Sequence, residues 1–123
     1  MRVLAVGYLL AVVLAALATS PPAWPGSPSF RASVYRTDPC LAQIIERESA
    51  GTWDPTIDYG MGHGNVYEPY GIGQANPGTK MAPYGKDWRT NPWVQLRWAR
   101  AYAAARYGSS CAAWAHWQRH HAW

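Results

Sequence analysis

Among the seven acidic side chains of the sequence, Glu48 is set apart by its position in a helical repeat. Leu41, Ile44 and Ile45 recur at helical spacing, and Glu48 continues their stripe, so its carboxylate projects from the face that a helix over residues 40–49 would bury. Loss of hydration there disfavours the charged form and lifts the pKa toward the working pH, which is what a general acid requires. The competing role is a frayed helix end before Gly51, with Glu48 turned to water or paired with an arginine. Glu46 reads as pointing to solvent. A hydrolytic glycosidase would need a second carboxylate about 5 to 9.5 Å from the first. Asp54, before Pro55, and Asp58, before Tyr59-Gly60, read as turn residues, which leaves Glu68 as the candidate to watch. His116 and His120 have the spacing for a shared metal, but no Glu follows the first His and no third ligand is evident. They read as a solvated tail, and neither a metal nor a cofactor is expected.

The elements that must position Glu48 are marked by their caps. Asp38-Pro39 supplies an N-cap and a first-turn proline for the helix over 40–49. Asn91-Pro92 does the same for a helix reaching Tyr107, with Gly108 as its C′ residue. Val94, Trp98, Ala101, Tyr102 and Ala105 form its expected apolar face, with Arg97, Arg100 and Arg106 mainly off it. Ser109 or Ser110 caps a further helix from Cys111 to about Arg119, which carries Trp114 and Trp117 on one side. Residues 51–90, dense in Gly, Pro, Tyr and Asn, read as loops with short helical turns or a small hairpin. A stretch of this length inside a small domain is usually functional, and here it would form one wall of a cleft.

The chain of 123 residues opens with Met1-Arg2 and an apolar run from Val3 to Ala18 that closes on Ala16-Leu17-Ala18. This pattern reads as a signal peptide over residues 1–18, since a membrane-spanning helix needs about 20 apolar residues and no stop-transfer cluster follows. An uncleaved anchor would leave the same domain outside the membrane. Residues 19–37, with four prolines and several serines, read as a disordered tether, which leaves one domain over 38–123. Export places Cys40 and Cys111 in an oxidising compartment, where a disulfide is the natural expectation and two free buried thiols the alternative. Eight Trp and eight Tyr against one Phe suit a groove that is wet and partly apolar. The net charge of +4 is too modest, and too scattered, for a nucleic-acid platform. An anionic cell wall fits it.

Glu48-Ser49, Tyr70-Gly71-Ile72-Gly73-Gln74 with Pro77, Asp87-Trp88-Arg89-Thr90-Asn91-Pro92, Gln95, Trp98, Tyr102 and Arg106-Tyr107-Gly108 follow one another in an order and spacing that resembles the soluble lytic transglycosylases. The resemblance is to the small secreted forms of Gram-positive bacteria and phages, and it covers roughly residues 40–123. It implies a mainly α, lysozyme-like domain of the goose-type lysozyme and transglycosylase kind. Such a domain would cleave the bond between N-acetylmuramic acid and N-acetylglucosamine in peptidoglycan, with Glu48 as sole catalytic carboxylate and a 1,6-anhydromuramyl product. Ser49, Tyr70, Gln74, Tyr102, Trp114 and Trp117 would bind substrate, with Gln74 on the cleft floor. Ala113-Trp114-Ala115 departs from the family's Ala-Tyr-Asn pattern, and His121-Ala122-Trp123 alters its aromatic ending. The implied protein is a secreted, cell-wall-associated monomer with no stable membrane association once the leader is removed. The alternatives are a hydrolytic muramidase with a second carboxylate and a non-catalytic glycan-binding module.

Overall fold

The computed structural model describes residues 27–58 and 65–123, and the expected leader and residues 19–26 lie outside it. Each expected cap forms. Asp38 accepts from the Leu41 amide and opens α2 (Pro39–Glu48), and Asn91 accepts from the Trp93 amide and opens α3 (Pro92–Tyr107). Gly108 ends α3 in the left-handed region at φ 90°, where a side chain would be strained. Ser109 is the cap of α4 (Ser110–His120), its hydroxyl accepting from Ala112. The described residues are thus mainly helical, with a 3-10 segment at Gly78–Tyr84 and no strand. Two isolated antiparallel bridges, Asp58 with Tyr70 and Tyr70 with Ala75, stand where a hairpin was one of the expectations. No helix among the described residues is long and apolar enough to cross a membrane.

The tether expectation fails over its second half, because Ser27–Thr37 forms a further helix, α1. Pro28 sits in its first turn, where a missing amide costs nothing, and no proline follows it. Phe30 and Val34, one turn apart, are buried, and Phe30 packs edge-on against Trp53 and Trp93. Docking of α1 also corrects the reading of Glu46. Its carboxylate accepts from Arg31 at 2.7 Å, from Tyr35 at 3.3 Å and from the Trp53 indole at 2.6 Å, so α1 covers the face of α2 that had read as solvated.

α2 packs against α1 and α4, while α3 packs against α4 and the 3-10 segment. Cys40 and Cys111 form a disulfide between the first turns of α2 and α4, with Cα atoms 4.9 Å apart across 71 residues of chain. Beside it, Asp38 accepts from the Ser110 hydroxyl at 2.9 Å and lies 3.6 Å from Arg100 of α3, so one carboxylate ties together three helices. Neighbours on two sides widen the buried face of α3 beyond the expected stripe. Gln95, Leu96, Ala99 and Ala103 are buried on it, whereas Ala105 is exposed.

Gln95 is fully buried and uses its whole side-chain amide on backbone. Nε2 donates to the carbonyls of Pro55 and Trp88, both at 2.8 Å, and Oε1 accepts from the Ile72 amide at 2.9 Å. The loop between α2 and α3 is pinned at three points by this one side chain. Gly71 is required next to it, since a Cβ there would lie 2.6 Å from Gln95 Oε1 on a backbone already at φ 84°. Replacing Gln95 by Leu would keep the volume and orphan two carbonyls and an amide, at about 1–3 kcal/mol for each buried group left unpaired. Denaturant melts are expected to show Gln95→Leu destabilised by roughly 3 kcal/mol or more, and a variant within 1 kcal/mol of the parent would contradict the pinning role.

Candidate active site

Glu48 ends α2 half-buried and lines an open cleft of about 340 Å³, within the range of small-ligand pockets. Pro69, Gln74 and Asn76 from the long loop line it together with His121, Ala122 and Trp123 from the C-terminal tail. The loop therefore does line a cleft, as its length and composition implied. The tail reaches the cleft because His121 takes a left-handed conformation at φ 55° and donates its amide to the Trp117 carbonyl. Trp123 then donates its indole N–H to the Gly73 carbonyl at 3.0 Å and packs edge-on against Trp98 and Tyr102.

Every acidic side chain of the sequence lies within the described residues, and Glu48 is the one that lines this cleft. Asp38 and Glu46 are engaged as above, Asp54 accepts from Thr56, Asp58 accepts from the Asn65 amide and Asp87 accepts from Asn91. Glu68 precedes the cleft residue Pro69, with its backbone bonded to Asn65 and Gly78. Around Glu48 itself, burial raises the carboxyl pKa above its ordinary value, and the Trp117 indole N–H, donating to Oε1 at 2.7 Å, partly opposes that rise. The result is a carboxyl biased toward its protonated form and oriented by a neutral donor.

Gln74 faces the same cleft from a left-handed backbone conformation at φ 52°. Its Nε2 donates to the carbonyls of Gly71 and Ile57, which fixes the amide, and its buried Oε1 has no hydrogen-bond partner. A small adjoining pocket of about 50 Å³ shares Gln74, Asn76 and Trp123 with the cleft and adds Lys80, Trp98 and Tyr102. Tyr102 stacks on Trp98 at 5.1 Å and its hydroxyl accepts from Arg106, so of the expected binding residues Gln74 and Tyr102 line the cleft or its side pocket, and Trp117 is linked to the cleft through its bond to Glu48.

Four expected binding residues, Ser49, Tyr70, Trp114 and Trp117, line neither space. Ser49 is buried under the end of α2, its hydroxyl accepting from the Trp53 amide, so it shapes the turn. Tyr70 is likewise buried, packing edge-on against Trp88 and donating its hydroxyl to the Arg89 carbonyl at 2.7 Å. Both motif positions belong to the scaffold because the turns that carry them fold inward. Trp114 lies beside Trp117, stacked at 5.7 Å, rather than in the cleft. The His116 and His120 rings are 4.3 Å apart, and no group of three metal-ligating side chains occurs among the described residues. Asn76, Pro69 and His121 were not singled out by sequence reasoning. For His121 a usable signal existed, since histidine tolerates the left-handed conformation that ends a helix.

No protein-family model, no curated protein and no solved structure matches the chain.

The raised pKa of Glu48 has a thermodynamic consequence with a definite sign. The folded chain holds the Glu48 proton above the pH at which the unfolded chain releases it, so stability present below the ordinary carboxylate range falls as pH rises through the raised value. Glu48→Gln keeps an acceptor for Trp117 and removes that loss. Denaturation of the two proteins should coincide near about pH 4 and favour the variant near about pH 7. A stability difference that does not change with pH would contradict the buried-acid assignment.

Proposed function

We propose that the chain is a secreted peptidoglycan lytic transglycosylase with a lysozyme-like fold, in which Glu48 is the single acid and base. The observation that carries this reading is Glu48 as the lone carboxylate of the cleft, partly desolvated and oriented by the Trp117 indole rather than by a cation. A protonated carboxyl at that position is suited to donate to the glycosidic oxygen as the bond from C1 of the muramic acid breaks. The leaving N-acetylglucosamine departs with that proton on its 4-hydroxyl. The resulting Glu48 carboxylate then takes the proton of the muramic C6 hydroxyl while O6 bonds to C1, which regenerates the acid and consumes no water. Hydrolysis by a carboxylate pair would need a partner about 5 to 9.5 Å away, and among the described residues no second carboxylate lines the cleft, which favours the intramolecular closure.

The remaining features support the same reading. Trp123 and Tyr102 offer faces and edges for sugar rings beside Gln74 and Asn76. The Cys40–Cys111 disulfide suits an extracellular protein.

Incubation of the purified, disulfide-bonded chain with Gram-positive peptidoglycan is expected to release 1,6-anhydromuramyl ends by mass spectrometry, and Glu48→Gln is expected to release none. Reducing ends would assign hydrolysis instead and direct attention to Glu68. Binding without cleavage would assign a glycan-binding module. The pH profile adds an independent check, since the acid must be protonated in the free enzyme and kcat/KM falls as pH rises through the pKa of Glu48. Trp117→Phe removes the donated hydrogen bond that lowers this pKa, so the alkaline limb should move to higher pH.

A further inference from the structure

The cleft has a charged neighbour that the reaction above does not use. Arg47 precedes Glu48 on α2, and its guanidinium lies over the Trp114 ring at 4.5 Å from the centroid and over Trp117 at 5.6 Å. The two indoles are 24° from parallel and form one platform, and Trp117 is also the side chain that donates to Glu48. The cation is therefore mounted one indole away from the catalytic acid.

Its donors are only partly spent. Nη1 donates to the Gln43 carbonyl at 3.0 Å and to Gln43 Oε1 at 2.8 Å. A guanidinium carries five N–H donors, so Nε and both hydrogens of Nη2 remain, along the edge that a carboxylate meets with two parallel bonds. Among the described residues no acid is paired with that edge. Glu46 is held by Arg31, Tyr35 and Trp53, and Glu48 by Trp117. The indole platform and the Gln43 bonds already restrict the side chain, which lowers the entropy lost when an anion binds.

We propose that Arg47, mounted on Trp114 and Trp117, is a recognition arm for a carboxylate carried by the substituents of the strand in the Glu48 cleft. The proposal rests on the peptidoglycan reading, in which those substituents are the stem peptides. Planar guanidinium and planar carboxylate match in a bidentate pair, and one fixed cation selects one such group per bound repeat.

The test measures binding apart from cleavage, by titration calorimetry on the chain carrying Glu48→Gln. The probes are a disaccharide-peptide fragment with free carboxylates and the same fragment with its carboxylates amidated. Amidation is expected to weaken binding about tenfold, as loss of a charged hydrogen-bonded pair would. Adding Arg47→Ala should make both fragments bind alike, and Arg47→Lys, which keeps charge without the fork, should restore only part of the difference. An amidation effect that survives Arg47→Ala overturns the proposal, as does failure of both fragments to bind. Displacement of the free-carboxylate fragment by a glycerol-phosphate polymer, dependent on Arg47, would overturn it in favour of an anionic wall polymer. Arg47-dependent binding from a chain that releases no anhydro ends would sink the transglycosylase reading and leave the arm standing.

Discussion

A glutamine amide with all its capacity spent on backbone organises one side of this molecule. Gln95 projects from α3 into the only environment in which a buried side-chain amide is inexpensive, one where two carbonyls and an amide proton already converge. The segment it gathers has no periodic apolar face of its own and would otherwise lack a reason to fold in one way. Pinned at Pro55, Ile72 and Trp88, it presents Gln74 toward Glu48 and leaves Gly71 as the closest backbone approach. The wall of the cleft is thus held by polar satisfaction more than by apolar area.

The position of Glu48 at the cleft depends on the junction at Asp38 and the disulfide. Together they align the first turns of α2 and α4, and about two turns further along those helices Trp117 meets Glu48. That meeting balances two effects on one carboxyl. Burial favours the neutral acid, while the indole N–H favours the anion. A neutral donor shifts the balance less than a cation would, so the pKa of the group stays above its ordinary value. The accompanying loss of stability at neutral pH belongs to the kind of local cost that functional sites carry and the surrounding fold absorbs.

Much of this was legible from residue types and spacing because it is decided locally. The caps at Asp38, Asn91 and Ser109 act within one helical turn, and the phase of Glu48 relative to Leu41, Ile44 and Ile45 follows from helix geometry alone. Readings failed where a neighbour distant in sequence changed the outcome. Glu46 is solvent-facing on an isolated α2 and triply bonded once α1 docks on it. α1 itself is too short and too weakly patterned to declare itself, and packing of Phe30 and Val34 supplies what propensity does not.

Sequence by itself determined a mainly helical chain with a cystine and a carboxylate turned toward an apolar interior, since cap chemistry, cysteine number and helical periodicity need no knowledge of neighbours. Tertiary structure alone decided that Ser49 and Tyr70 are scaffold, that Trp123 closes the cleft, and that Trp117 rather than a cation orients Glu48. Those outcomes depend on which side chains approach across dozens of residues. Burial, desolvation and hydrogen-bond partnership are properties of that approach, and no spacing along the chain encodes them.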